Sequence, residues 1–426
     1  MIKIIDKDTD RQVIFSRFND KVDVSATVSK IIDNVRNNGD AALFRYTAEF
    51  DGANIDCLEV EQSEIDSALA NTDGEFLKIL KSAADNIRAF HEKQKRDGFS
   101  FVNDSGILVG QKIIPIEKVG IYVPGGTAAY PSTVLMDAIP AKIAGCKQII
   151  MVTPPDREGK IKPEILSAAK IAGVDRIFKV GGAQAVAALA FGTETVPRVY
   201  KIVGPGNAFV AEAKRQVFGK VNIDMIAGPS EILIISDRSA NPEFVAADML
   251  SQAEHDKNAS AVLITIDKDF AYAVSEQIEK QILTLERRDI ARASIDLNGK
   301  IIIADSIENA IRISNEIAPE HLELCLEEPE KYFDKVQNAG SVFLGNYCPE
   351  ALGDYYAGPN HTLPTSGTAK FSSPLSVDDF IKKTQFISCS ENVLKSVCND
   401  VQAFSVKEGL TAHGKSVVKR FEGDKI

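Results

Sequence analysis

The chain predicts an α/β fold: two Rossmann-like, incomplete parallel-sheet domains with a small N-terminal arm and a helical C-terminal tail domain. Three observations carry this. Short β-rich apolar runs alternate with helix-length segments between residues 118 and 237, as in a parallel sheet covered on both faces. A second, shorter alternation occupies 261–344, and 426 residues are more than one core usually organises. After Pro374 the composition turns polar and helical.

Taken in order, residues 1–20 are polar, too short for a core, and read as an arm that docks elsewhere. Val24, Val28, Ile31, Ile32 and Val35 recur at helical spacing, and Gly39 should stop that helix. Ser63-Glu64-Ile65-Asp66 resembles a capping box. A longer helix through Phe76, Leu80, Ala84, Ile87 and Phe90 should end near the basic run 93–96, leaving His91 solvated. Asn103-Asp104-Ser105-Gly106 reads as a hairpin turn. Strands are expected at 118–123, 148–152, 176–180, 199–203 and 231–236, with helices at 133–144, 163–172, 183–191 and 208–218 between them. The second alternation offers strands at 261–266, 300–304, 321–326 and 341–344, and helices at 270–285 and 307–317. Two such units suggest an internal duplication, although no residue-level repeat is visible. In the tail, Ser376-Val377-Asp378-Asp379 can cap a helix, and 391–404 and 407–420 supply others. The expected organisation is an arm (1–20), a discontinuous α/β domain (21–120 and 232–374), a second α/β domain (121–231) and a small helical domain (375–426).

Composition removes several function classes. With 49 Lys plus Arg against 60 Asp plus Glu the formal net charge is −11, which argues against a partner recognised through its phosphate backbone, so nucleic acid is not expected. No apolar run approaches the roughly 20 residues that span a bilayer, and the first residues lack the apolar core of a signal segment, so no membrane partner and a cytoplasmic location are expected. The six cysteines (Cys57, Cys146, Cys325, Cys348, Cys389 and Cys398) contain no Cys-x-x-Cys pair. Most read as buried packing thiols, since no base stands beside any of them in the sequence, with a catalytic cysteine as the alternative.

The chemistry is concentrated in a few polar stretches. In Ser251-Gln252-Ala253-Glu254-His255-Asp256, at the end of an apolar-periodic helix, a three-residue step puts the Gln252 amide and the His255 imidazole on one face. A helix end that is merely capped gives the same pattern, and a zinc site needs about four donors. Four of the five histidines, His255, His321, His361 and His413, lie in polar, Gly/Pro-punctuated segments. Glu320-His321 could form an acid/base set, but adjacent residues of a regular strand face opposite ways, so convergence requires irregular backbone around Pro319. The breaker-rich loop 353–364 carries Asp354, a possible metal oxygen or a turn residue. Ligands of open parallel sheets bind beyond the carboxyl ends of strands. That directs attention to Val180-Gly181-Gly182-Ala183-Gln184, Val203-Gly204-Pro205-Gly206-Asn207 and Ala227-Gly228-Pro229-Ser230-Glu231, each able to offer backbone N–H groups to a phosphate at a helix start. None of the three fits Gly-x-Gly-x-x-Gly.

Together with Tyr122-Val123-Pro124-Gly125-Gly126, Pro319-Glu320-His321-Leu322, Gly358-Pro359-Asn360-His361 and Glu408-Gly409-Leu410-Thr411-Ala412-His413, these motifs, in this order, closely resemble the histidinol dehydrogenase family over nearly the whole chain. The resemblance implies oxidation of L-histidinol to L-histidine through histidinaldehyde, with two NAD⁺ reduced and one water added. It implies Gln252, His255, Asp354 and His413 as Zn²⁺ ligands, Glu320 as the base that activates water, and His321 as the proton acceptor in the oxidations. Tyr122, Gln184 and Asn207 would line the NAD⁺ site within 121–231. Ser230, His361, Glu408 and His321 would join the ligands around the substrate. It also implies a homodimer in which the C-terminal piece reaches the partner's site. Lys257-Asn258 departs from the pattern, where a proline is expected nearby; only the local turn is affected.

Three rival readings stay open on the sequence. Relatives that oxidise other small diols would lack parts of the recognition set. A zinc hydrolase would use Glu320 on metal-bound water and turn over without NAD⁺, and a non-catalytic metal-bound protein would tolerate loss of Glu320 and His321. The oxygen and nitrogen donors would also accept Mn²⁺ or Co²⁺.

Overall fold

The repeat that is invisible at residue level appears in the order of the strands. The computed structural model describes residues 2–6, 11–16, 23–125 and 129–421; Gly126 of the first glycine turn and positions 1, 7–10 and 17–20 of the expected arm lie outside the described residues. The strands are Lys3–Asp6 (β1), Phe99–Val102 (β2), Leu108–Pro115 (β3), Lys118–Tyr122 (β4), Gln148–Thr153 (β5), Arg176–Lys179 (β6) and Lys201–Val203 (β7). They continue with Asn222–Ile223 (β8), Glu231–Ser236 (β9), Ser260–Thr265 (β10), Lys300–Ile303 (β11), His321–Cys325 (β12), Ser341–Leu344 (β13) and Ile381–Ser388 (β14). One parallel sheet runs β6-β5-β4-β7-β8 and another β1-β11-β10-β9-β12-β13. Counted from β4, the first has the order 3-2-1-4-5; counted from β9, so does the second, with β1 added beside β11.

Both sheets are covered on two faces, and this is why their strands are continuous apolar runs. Alternate residues serve opposite cores. Ile149 and Met151 enter one cluster and Ile150 and Val152 the other; in the second sheet Ile232 and Ile234 face one cluster, Leu233 and Ile235 its counterpart. No described helix is long and apolar enough to cross a membrane.

Three local expectations change. The helix that Gly39 was expected to stop continues as Ser25–Tyr46, kinked at Gly39 (φ 51°, ψ −133°), and passes into a wider turn at Thr47–Asp51. Glycine alone reaches that conformation cheaply, and the Glu194 carboxylate accepts the next N–H, of Asp40, at 2.7 Å. The capping box lies two residues earlier than expected, between Glu61 and Glu64. The tail contains a strand, β14, that the reading of 375–426 as helical does not include; it is largely exposed along its length and so lacks the alternation that marks a half-buried strand.

The chain divides into two compact units. Residues 1–94 and 116–380 hold both parallel sheets. Residues 95–115 and 381–426 hold the antiparallel sheet β14-β3-β2 and the helices Glu391–Lys407 and Thr411–Val418.

Candidate active site

At the carboxyl edge of the first sheet, three expected nucleotide residues stand at the ends of β4, β6 and β7. Tyr122 ends β4, and its buried hydroxyl accepts the Gly182 N–H at 3.0 Å. Burial pushes the phenol up to about 12, so it stays neutral. Gln184 lies in the first turn of the helix Gly182–Phe191, buried, with its Oε1 lacking a hydrogen-bond partner. Asn207 caps the helix Ala208–Val217 by accepting the Phe209 and Val210 N–H groups at 3.0 and 3.2 Å. The β4 and β7 strands that deliver Tyr122 and this turn are neighbours, the place where strand order reverses.

The second sheet uses its opposite edge, which corrects the expectation that every site turn follows a strand's carboxyl end. Ser230 immediately precedes β9, and Glu320 and His321 stand at the start of β12. The turn 227–231 therefore leads into a strand and offers no helix start to a phosphate. The helix Pro242–Ala253, which follows β9, returns Gln252 and His255 to this same amino-terminal edge.

Glu320 and His321 do converge. Ala318, buried, takes a left-handed conformation (φ 53°), which breaks the strand rule just before the pair. Glu320 Oε2 then accepts the Glu231 N–H at 2.8 Å, and His321 Nδ1 meets the Glu231 carbonyl at 2.9 Å. Because a carbonyl only accepts, Nδ1 carries a hydrogen, and Nε2 faces Asp354 Oδ1 at 3.5 Å. Burial raises the Glu320 carboxyl to about 8, against the pull of His321. For His321 burial acts downward, but the Glu320 and Asp354 carboxylates outweigh it and push the imidazole up to about 10. Burial would also raise Asp354; the hydrogen bond with His321 and the nearby imidazole of His361 instead hold it below the usual carboxylate range.

The loop that follows β13 closes around this pair. His361 Nδ1 donates to the Asp354 carbonyl at 3.0 Å, and the flanking Asn360 is fixed by the Met136 carbonyl at 2.6 Å. His321, Asp354, Asn360, His361 and Cys348 line a cleft of about 130 Å³. Gln252 is buried, with both amide heteroatoms unpartnered. An amide so placed fits a metal ligand, because burying it unpaired is otherwise costly. His255 is within electrostatic reach of Asp354 and His321. Glu408 and His413 belong to the second unit, where both are exposed: Glu408 ends the helix Glu391–Lys407 and His413 lies in Thr411–Val418.

Two residues were missed. Glu350 is buried, raised by burial to about 7, and brings a carboxylate oxygen within 4.8 Å of ligand atoms of His321 and Asp354. Its spacing, four residues before Asp354 on one helical turn, was the available signal. His91, expected in solvent, is buried; its Nδ1 contacts Gln94 Oε1 at 2.7 Å and its Nε2 approaches Asn360 at 3.5 Å.

The model of the histidinol dehydrogenase family matches residues 16–421. A histidinol dehydrogenase of Clostridium acetobutylicum is 53% identical over 403 residues, 95% of this chain and 94% of that protein. One of Bacillus cereus is 54% identical over 402 residues, covering 94% of each. The crystal structure of histidinol dehydrogenase from Elizabethkingia anophelis superposes with a TM-score of 0.94 at 41% identity, over 99% of this chain and 98% of that one. A family match over residues 16–421, relatives more than half identical over nearly their full length and a structure that superposes over 99% of the chain together show that this chain belongs to the histidinol dehydrogenase family of oxidoreductases.

Proposed function

We propose that this enzyme carries out the NAD⁺-dependent, zinc-requiring, four-electron oxidation of L-histidinol to L-histidine through L-histidinaldehyde, the end of histidine biosynthesis. The observation that carries the reading is the convergence of Glu320 and His321 on the two sides of one residue, Glu231, facing Asp354. Gln252, His255, Asp354 and His413 would hold the Zn²⁺, and Tyr122, Gln184 and Asn207 the NAD⁺, in the segment 121–231. When bound, the metal would orient the substrate's imidazole and amine while NAD⁺ takes the hydride of each oxidation.

The chain's own residues supply the proton transfers. His321, held by its Nδ1–H to the Glu231 carbonyl, leaves Nε2 to accept the hydroxyl proton as the alcohol becomes an aldehyde. With its imidazole pushed up to about 10, His321 holds a hydrogen on both nitrogens near neutral pH, so it acts as this base only in its deprotonated form and the first oxidation should quicken as pH rises toward that value. Glu320, once deprotonated, takes a proton from the water that adds to the aldehyde, and the hydrate loses its own proton and hydride to give the carboxylate. Ser230, His361 and Glu408 would recognise the substrate. The exposed side chains of Phe99, Phe101, Ile387 and Phe404 on the second unit favour a homodimer in which this unit completes the partner's site.

The test is NADH formed per histidinol consumed, with product identification, before and after chelation and Zn²⁺ readdition. Two NADH per histidine, lost and restored with metal, is the expected result. Turnover without NAD⁺ would turn the reading to a zinc hydrolase. NADH with other diols in preference to histidinol would change the substrate.

A further inference from the structure

A buried ion pair lies under the turn that presents Asn207, and nothing in the proton-transfer chemistry uses it. Lys214, on the helix Ala208–Val217, pairs with Asp224, which follows β8; the two side chains are 2% and 1% exposed. Such a pair is not explained by stability, because the desolvation of two charges offsets most of their attraction.

Its contacts point to a different role. Lys214 Nζ donates to the Gly204 carbonyl at 2.9 Å, and the Gly204 N–H donates to Asp224 Oδ2 at 2.7 Å. Both polar groups of a single glycine are thereby held by one ion pair. Asp224 Oδ1 also accepts the Met225 N–H at 2.6 Å, which fixes the carboxylate itself. Gly204 has φ +112°, and a Cβ there would fall on the Tyr122 carbonyl and lie 2.9 Å from Asp137 Oδ2. Asp137 forms the third wall. It is fully buried, and its other oxygen accepts the Thr362 hydroxyl at 3.1 Å. Burial and the Asp224 carboxylate raise Asp137 well above the ordinary range, so Lys214 is balanced by one anion and not two.

We infer that Lys214 and Asp224, backed by Asp137, are positioning residues for the dinucleotide: they lock Gly204 so that the turn 204–207 presents its backbone and Asn207 in one fixed geometry. This rests on the NAD⁺ reading above. A preset turn avoids the ordering cost of forming the site upon binding, and a displaced one costs affinity without touching the protons moved by Glu320 and His321.

The experiment is calorimetric titration of the full-length, zinc-loaded protein with NAD⁺, with histidinol titrated separately, for the wild type, the double variant K214M/D224N and the single variant D224N. The double variant removes both charges at similar volume; the single variant keeps one acceptor and nearly the native shape should the double variant not fold. NAD⁺ binding is expected to weaken by about tenfold or more in the double variant and by a smaller factor in D224N. Histidinol affinity, zinc content, and kcat at saturating NAD⁺ should stay within about twofold, so that KM for NAD⁺ moves alone. A merely structural pair would move all of these together, and that outcome overturns the inference. So does a wild type that binds NAD⁺ no better than the folded variants. A wild type that binds no NAD⁺ overturns the dinucleotide reading and this inference with it.

Discussion

Glu320 keeps its proton to about pH 8, and a protonated carboxyl cannot take a proton from water. The sign of the expected pH dependence follows. Below that value the base form shrinks by about tenfold per pH unit, so the aldehyde-oxidising half should slow as pH falls and level off above it. A rate that instead fell from pH 7 to 9 would remove Glu320 from the role. Glu320→Gln keeps an acceptor for the Glu231 N–H but has no basic oxygen. It should release the first NADH at a near-normal rate and slow the second by ~10²–10⁴-fold, giving a burst of one NADH per site in a stopped-flow record. Two equal phases would point to another base. Glu320, His321, Asp354, Gln252 and His255 could be singled out as candidates because they stand in short polar motifs, at a helix end for Gln252 and His255 and beside Gly or Pro for the others. Glu350 offered only its four-residue spacing to Asp354, and Lys214 offered no signal, being a charged residue in an ordinary helix, where the default is a solvated face. His91 was misread for the same reason: its neighbours Glu92 and Lys93 are charged, yet the ring itself points into the protein.

At the scale of elements, the apolar runs of the parallel strands were readable because both sheets are buried on two faces, whereas the cap at Glu61 falls two residues from its expected place. The direction from which each sheet is used was not readable. Which edge carries the chemistry depends on where the helix Pro242–Ala253 ends and on how β12 begins, and both are set by tertiary packing. The start of β12 can be tested directly through Ala318. A β-branched residue is strained at positive φ, so Ala318→Val should cost at least ~1–2 kcal/mol, more where its added methyls meet the core, and should lower activity by pulling Glu320 and His321 apart. Ala318→Gly relieves the strain at the expense of chain entropy and should change stability by no more than about 1 kcal/mol with activity retained. Denaturant unfolding and steady-state rates on the pair check this; equal behaviour of the two variants would mean that the left-handed residue does not set the convergence.

At the scale of the whole molecule, the residues proposed for one site belong to both compact units: Gln252, His255 and Asp354 to the first, Glu408 and His413 to the second. Whether the second unit serves its own chain or a second copy has a decisive complementation test. Glu320→Gln and His413→Asn should each abolish the complete reaction in a homodimer. If sites are completed by the partner, a mixed dimer places both lesions in one site and leaves the other wholly native. Random mixing in equal amounts makes about half of the dimers mixed, with one of two sites competent, so about a quarter of wild-type activity should return. If each chain completes its own site, every site in every dimer carries a lesion and nothing returns. Exchange must be allowed by reversible unfolding or co-expression, and size-exclusion chromatography with light scattering must show a dimer. A monomer with full activity would assign His413 and Glu408 to their own chain and leave the exposed Phe99, Phe101 and Phe404 to some other partner.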